Sequence, residues 1–262
     1  SVNAGMLCKY LTDIEDMNIV KLSKVPSVSR LGWIKNEFSP YLDGIVFDGE
    51  LYYKRMFEAV NKKGNYELWK TAIVDKCNSS EVFRFLFISS LSAPLISIVN
   101  TLPFIVHVWG CSGGGKTLSM MGALSAWGDP VELVKSYNST NVGLELTAGF
   151  LHSLPLCLDE SQMSSKYNLE KDLYMLAQGQ GKTRGSKNIT ARQIPFWRNI
   201  TISTGEKPLT DDNSGAGAIN RILSIESNDM LFDKTTGSDF AEIIKNNYGF
   251  IGKRWVQFIS EN

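Results

Sequence analysis

Apolar positions in the first part of the chain recur in short runs cut by turn residues. LGWIKNEFSPY (31–41) and DGIVFDGELYY (43–53) read as short strands joined by turns, with Asp43-Gly44 and Asp48-Gly49 as the turn dipeptides. From residue 65 the period changes. Leu68, Trp69, Ala72 and Ile73 fall on one side of a helix predicted over 65–77. A second helix, over 80–92, is apolar all round and is therefore expected to be buried.

Beyond Leu102 the pattern becomes one of strands alternating with helices. PFIVHVWG (103–110) is a β-rich run ending in glycine, and a compact helix follows over 117–126. LPLCL (154–158) is an apolar strand that ends in Asp159-Glu160. A helix over 169–177, strands NITIST (199–204) and RILSIE (221–226), and one or two short helices within 239–260 complete the order. Short strands separated by helices predict an α/β sandwich with a largely parallel central sheet. The chain divides into a mixed α/β accessory region (1–80), a core (81–236) and a C-terminal helical tail (237–262); spacing alone does not make the first a separate domain.

Composition narrows the class. The 262 residues carry 27 basic and 27 acidic side chains, with 21% charged and 43% apolar. These ordinary globular values exclude a disordered charged tail and allow one large domain, or a core with a small appendage. Cys8, Cys77, Cys111 and Cys157 form no CxxC pair, so they read as scattered thiols of an intracellular protein. His107 and His152 are the two histidines, too few for a usual Cys/His zinc site or histidine-centred hydrolysis.

The N-terminus has no secretory pattern and no initiating Met, which suggests a processed or excised piece. Residues 85–115 lack any Asp, Glu, Lys or Arg and are long enough to span a bilayer. They also hold Ser89, Ser90, Ser92, Ser97, two prolines, Asn100 and His107, and they run into a glycine-rich loop. A buried helix followed by a buried strand fits better, and the protein is expected to be cytoplasmic without a membrane partner.

Gly110-Cys111-Ser112-Gly113-Gly114-Gly115-Lys116-Thr117 satisfies G-x-x-x-x-G-K-[ST] and lies between a β-run and a helix, as the motif requires. The glycines let consecutive N–H groups turn in around phosphate oxygens, and the helix beginning near Leu118 adds its positive end. Lys116 then reaches the β- and γ-phosphates of ATP, and Thr117 supplies a hydroxyl to Mg2+. Asp159, at a strand end, suits that same magnesium, and Glu160 suits activation of the attacking water. Adjacent acids of this kind point to hydrolysis. The NITIST strand, if it lies between the P-loop and Asp-Glu strands, puts Ser203 or Thr204 near the γ-phosphate as a sensor. Glu206 is either a further polar site residue or a helix-start acid.

Charge is uneven beneath the neutral total. Residues 179–198 hold Lys182, Arg184, Lys187, Arg192 and Arg198 and no acid, a net +5 that leaves −5 for the rest. Glycines separate two possible short strands, as in a protruding hairpin able to hold a phosphate backbone. Alternatively, Arg184 reaches a neighbouring subunit's nucleotide. Trp197 reads as core. Arg221 is a trans-acting finger, a cis sensor, or a strand-end arginine paired to an acid.

Taken together these pieces resemble the phage- and plasmid-associated P-loop family of unknown function often found with primase modules, itself similar to superfamily 3 helicases within the AAA+ class. The resemblance runs through LGWI near 31, SAPL near 92, HVWGCSGGGKT (107–117), STNVGLE (139–145) and LPLCLDE (154–160). It continues through YMLAQGQGKTR (174–184), ISTGE (202–206), NRILSIE (220–226) and NNYGFIGK (246–253). It implies an AAA+-like P-loop ATPase core with Lys116 and Thr117 as Walker A and Asp159 and Glu160 as Walker B. The basic loop takes the place where related helicases carry a DNA-contacting hairpin. The Cys-Ser-Gly-Gly interior of the P-loop departs from the family's more usual Ser-Ser-x pattern. Residues 211–218 lack the basic side chains that relatives often carry there. The implied function is an ATP-dependent DNA helicase or translocase core, assembled as a homo-oligomeric ring, hexameric by this reading. It would act on single-stranded DNA in phage or mobile-element replication, with a primase or other replication protein as a further partner. The alternatives are a DNA loading or remodelling factor that does not unwind, and a nucleotide-switched scaffold.

Overall fold

A computed structural model describes residues 2–21, 24–164, 166–182, 194–210, 220–228 and 230–262. The chain opens with helix α1 (Val2–Asn18), whose side chains from Asn3 to Met17 are exposed. Four very short strands follow. β1 (Ser27–Val28) pairs in parallel with β4 (Val46–Phe47), while β2 (Gly32–Ile34) and β3 (Glu37–Ser39) form an antiparallel hairpin. Trp33 and Phe38 face each other across it, edge to face at 4.9 Å.

The strand expected to run on into ELYY is instead the start of helix α2 (Leu51–Ala59). Tyr53, Met56 and Ala59 recur at helical spacing and are buried, whereas Leu51 and Tyr52 are exposed. Burial at that period outweighs the β preference of the tyrosines.

Helix α3 (Tyr66–Ser79) matches the predicted one and starts where the Asn65 side chain accepts from the N–H groups of Glu67 and Leu68. Trp69 and Ile73 are buried, but Leu68 is exposed, so the apolar face is narrower than read. Helix α4 (Glu81–Ser92) also forms as expected, capped by Ser80. It is not buried all round. Phe83, Leu86 and Phe87 face the core, while Phe85 and Ile88 face solvent.

The charge-free stretch 85–115 is divided among α4, α5 (Leu95–Ile98), β5 (Phe104–Trp109) and the loop after it. Among the described residues no helix is long and apolar enough to cross a membrane.

Among the described residues the central sheet has five strands in the order β6-β7-β8-β5-β9, and every pairing is parallel. After β5 come α6 (Lys116–Leu124), α7 (Pro130–Leu133), β6 (Val134–Ser136), α8 (Asn141–Leu151) and β7 (Leu156–Asp159). A 3₁₀ turn (Ser161–Met163), α9 (Lys166–Gln178), β8 (Ile200–Gly205), β9 (Ile222–Glu226), α10 (Lys234–Asn246) and α11 (Gly252–Glu261) complete the order of elements among the described residues. Helix α8 and the edge strand β6 went unread in the sequence. As expected, β8 lies between β5 and β7. All the strands therefore point their carboxyl ends to one edge, where ligands of open α/β sheets bind.

One buried cluster joins Leu31, Phe38, Met56 and Trp69 from the first eighty residues to the sheet and on to Val256. Each large apolar side chain fully removed from water contributes about 1.5–3 kcal/mol before entropy is counted. Helices α4 and α6 approach closely at Gly122, where a Cβ would lie 2.6 Å from Phe83. Trp197 is core, as predicted, and its indole donates to the Leu176 carbonyl at 3.0 Å.

Candidate nucleotide site

The loop between β5 and α6 is shaped by glycines that no other residue could replace without strain. Gly110 has φ +147° and Gly115 has φ +86°. A Cβ on Gly110 would sit 2.2 Å from the Ser227 carbonyl oxygen, and one on Gly115 would sit 2.7 Å from the Phe232 ring. Backbone bonds fasten the loop on both sides. Gly110 N–H donates to the Gly205 carbonyl at 3.3 Å, and Leu231 N–H donates to the Gly114 carbonyl at 2.8 Å.

Lys116 is buried at the start of α6, and its ammonium donates to the Gly110 carbonyl at 3.0 Å and the Cys111 carbonyl at 2.6 Å. The lysine thus lies along the inner rim of its own loop.

Strands β7 and β8 deliver the side chains that face Thr117 at the start of α6. Asp159 ends β7, and its Oδ1 accepts from Thr117 Oγ1 at 3.0 Å, from the Glu160 N–H at 3.1 Å and from Thr204 Oγ1. Three donors on one oxygen fix the carboxylate in a single orientation. Glu160 follows in the left-handed region, φ 61° and ψ 63°, which is costly for a side chain with a Cβ and is found most often at functional sites.

These residues line a cavity of about 310 Å3 together with Ser112, Gly113, Gly114, Leu118, Gln162, Gly205 and Glu206. Asp159, Glu160 and Glu206 share this lining with Lys116, so it offers both anionic and cationic groups, as a cation beside a bound anion requires. Thr117 and Asp159 offer two oxygen ligands. Magnesium keeps waters and takes phosphate oxygens for its remaining positions, so this donor set suits a metal that arrives with a nucleotide.

The two sensor candidates separate. Thr204 points to Asp159, whereas Ser203 is wholly buried and directed away, within 2.9 Å of both His107 Nδ1 and the Tyr137 hydroxyl. Alternation along a strand sends neighbours to opposite faces, so only one of them reaches the cavity.

Arg221 is not brought to the cavity, which removes the cis-sensor reading. It precedes β9 at the amino edge of the sheet, five residues before Glu226 and so about 16 Å along the strand. Its guanidinium donates to the Ala177 carbonyl at 2.9 Å, and among the described residues no acid pairs with it.

The basic loop leaves from that same amino edge. Its flanks pair antiparallel, with a bridge between Gln180 and Phe196 and the Gly181 N–H donating to the Pro195 carbonyl at 2.8 Å. Lys182 is exposed at this base, and its N–H donates to Glu145. Arg198 is part-buried and donates to the Gly179 and Trp197 carbonyls. Arg184, Lys187 and Arg192 lie outside the described residues.

A second cavity of about 540 Å3 adjoins the other side of the loop and was not read from the sequence. It is lined by Cys111, Leu118, Met230, Phe232, Asp233 and Lys234 among others. Asp233 caps α10 by accepting from the Thr235 and Thr236 N–H groups, and Lys76 lies 4.0 Å from the Phe232 ring centroid. Burial lowers the Lys76 pKa. Nothing in NDMLFDK carries a local motif, since only the fold sets this segment against the P-loop.

The model of a family described as a domain of unknown function (DUF927) matches residues 1–195. Comparison with curated protein sequences finds no match. Among solved structures, one described as the active helicase Cch of SCCmec type IV is similar over 97% of this chain and 49% of its own, with TM-score 0.72 and 18% identity. The C-terminal region of NrS-1, in an A form apo structure, aligns over 94% of this chain and 62% of its own, with TM-score 0.42 and 14% identity. The chain spans about half the length of the Cch structure, and likeness at this identity shows a shared fold.

Proposed function

The chain belongs to the DUF927 family, and we propose that it is the ATP-hydrolysing core of a DNA motor acting in phage or mobile-element replication. The observation that carries this reading is the single oxygen of Asp159 on which Thr117 and Thr204 converge, beside a glycine loop bearing Lys116. The meeting of these sequence-distant groups supports a site for nucleoside triphosphate hydrolysis.

In this reading the loop N–H groups and Lys116 bind the phosphates. Thr117 and Asp159 would hold magnesium, which when bound neutralises charge on the β- and γ-phosphate oxygens. Glu160 takes a proton from the attacking water, and Thr204 reports the phosphate end to Asp159. The cavity beside Met230 and Phe232 suits the base.

Arg221 lies too far from its own cavity to act there, which favours a role toward a neighbouring copy in a ring, hexameric by this proposal. The basic hairpin, with Lys182 at its base and Arg184, Lys187 and Arg192 beyond, suits the backbone of single-stranded DNA. Contacts of that kind give weak sequence preference and strong salt dependence. The structure that shares the fold is described as an active helicase, and a primase is the kind of replication protein expected to work beside such a motor.

The deciding experiment measures ATP turnover with and without single-stranded DNA, alongside solution mass with a non-hydrolysable analogue. Magnesium-dependent turnover stimulated by DNA, with a ring-sized mass, is expected. Nucleotide binding without turnover would instead make the protein a switch or scaffold. Stimulated turnover without displacement of a forked duplex would make it a loading or remodelling factor.

A further inference from the structure

His107 lies on β5, three residues before Gly110, with its side chain fully enclosed. Nε2 is 2.9 Å from the Lys207 carbonyl oxygen, and Nδ1 is 2.9 Å from Ser203 Oγ. The Tyr137 hydroxyl is 2.9 Å from that same Ser203 oxygen. Burial pushes the imidazole pKa down to about 4, so the ring is neutral near pH 7 and carries one proton.

The geometry decides where every proton in this chain sits. A carbonyl oxygen only accepts, so the ring proton is on Nε2 and is donated to Lys207. Nδ1 then accepts, and its donor is the Ser203 hydroxyl. With that proton committed, the Ser203 oxygen accepts from Tyr137. The chain runs one way, from Tyr137 through Ser203 and His107 to the Lys207 backbone.

Its end point lies beside the candidate site. Lys207 follows Gly205 and Glu206, which line the cavity together with Thr204. A Cβ on Gly205 would lie 3.0 Å from His107 Cε1, so the ring also abuts the backbone of this turn. Glu206, Lys207 and Pro208 are themselves exposed. Among the described residues, the bond from His107 is the one side-chain hydrogen bond that reaches their backbone.

We propose that His107 is a positioning residue that seats the Glu206-bearing turn against the P-loop strand, so that Thr204 and Glu206 are held toward the phosphate end of the cavity. Ser203 and Tyr137 fix the ring in the tautomer that makes this bond. The role rests on the ATP-hydrolysis reading and adds to it a group that touches neither nucleotide nor metal.

The test compares full-length His107→Leu, His107→Gln and Tyr137→Phe. Gln keeps a donor near the Nε2 position; Leu removes it; Phe breaks the chain at its far end. In nucleotide-free protein, His107→Leu is expected to raise amide exchange across 205–210 by about tenfold and to leave 228–233 unchanged, with Gln restoring most of the protection. At saturating Mg-ATP, His107→Leu is expected to lower kcat about 10- to 100-fold while analogue Kd moves by less than about twofold. Gln recovers most of that turnover, and Tyr137→Phe keeps it within about threefold even where its Tm falls as far.

Unchanged exchange at 205–210 in His107→Leu overturns the proposal. So does a turnover that simply tracks Tm across the three variants. If the wild-type protein does not hydrolyse ATP, the hydrolysis reading fails, and the exchange experiment still decides whether His107 seats the turn.

Discussion

Thr117 and Thr204 donate hydrogen bonds to the same oxygen of Asp159, one from the start of α6 and the other from the end of β8. The strand order makes this possible, because β8 lies between β5 and β7 and all three end at one edge. Among the described residues every hydrogen bond to this carboxylate falls on that one oxygen.

Neighbouring hydroxyls on β8 should behave differently when removed. Thr204→Ala is expected to lower ATP turnover with little change in Tm, since the side chain lies at the cavity. Ser203→Ala leaves both His107 and Tyr137 without their shared partner and is expected to cost about 1–3 kcal/mol of stability, read by denaturant unfolding. Equal Tm losses in both variants would contradict the separation.

Glu160→Gln removes the group assigned as base and keeps its shape. Nucleotide binding is expected to persist while turnover falls about 10²- to 10⁴-fold, measured by phosphate release and analogue titration. Unaltered turnover would remove Glu160 from the mechanism.

Lys182→Ala combined with Arg184→Ala should weaken single-stranded DNA binding and flatten its dependence on salt. Losing two phosphate contacts lowers the slope of log K against log salt by about 1.4. A binding curve with the wild-type slope would exclude the loop from the DNA interface.

Acid should destabilise the fold through the buried histidines. Burial depresses His107 to about 4 and His152 to about 3, each below its usual value of 6.5. The folded state therefore resists protonation that the unfolded chain accepts. Stability is full above pH 6.5 and declines as pH falls toward those lower values, by about 1.4 kcal/mol per pH unit for each histidine. Asp172, raised by burial, acts in the opposite sense. Thermal melts from pH 7.5 to 5 are expected to show falling Tm, with a shallower fall in His107→Gln.

Much of the site was legible before any fold was known, because a P-loop is a local device. Its glycines, lysine and threonine are contiguous, and the bounding strand and helix follow from short-range pattern. Asp159 and Glu160 were equally readable as acids ending an apolar strand. The helix at 51–59 escapes a local reading because Tyr52 and Tyr53 favour strands, and only burial of Tyr53, Met56 and Ala59 on one face decides otherwise. The exposed faces of α3 and α4 were invisible for the same reason, since apolar content does not say which side finds a partner.

Residue order along the chain sets which groups are available: a glycine loop of P-loop pattern, a strand-end acid pair, two adjacent strand hydroxyls and a basic block in a neutral chain. Tertiary structure alone decided which of these groups meet. The face that β8 turns to Asp159 selects Thr204 over Ser203, and strand direction carries Arg221 to the far edge. The seating of Ser227, Leu231 and Phe232 against the loop creates a second cavity with no motif of its own. Hydrogen-bond donors and charge are written residue by residue, but their convergence depends on strand order and side-chain direction, which are properties of the packed sheet.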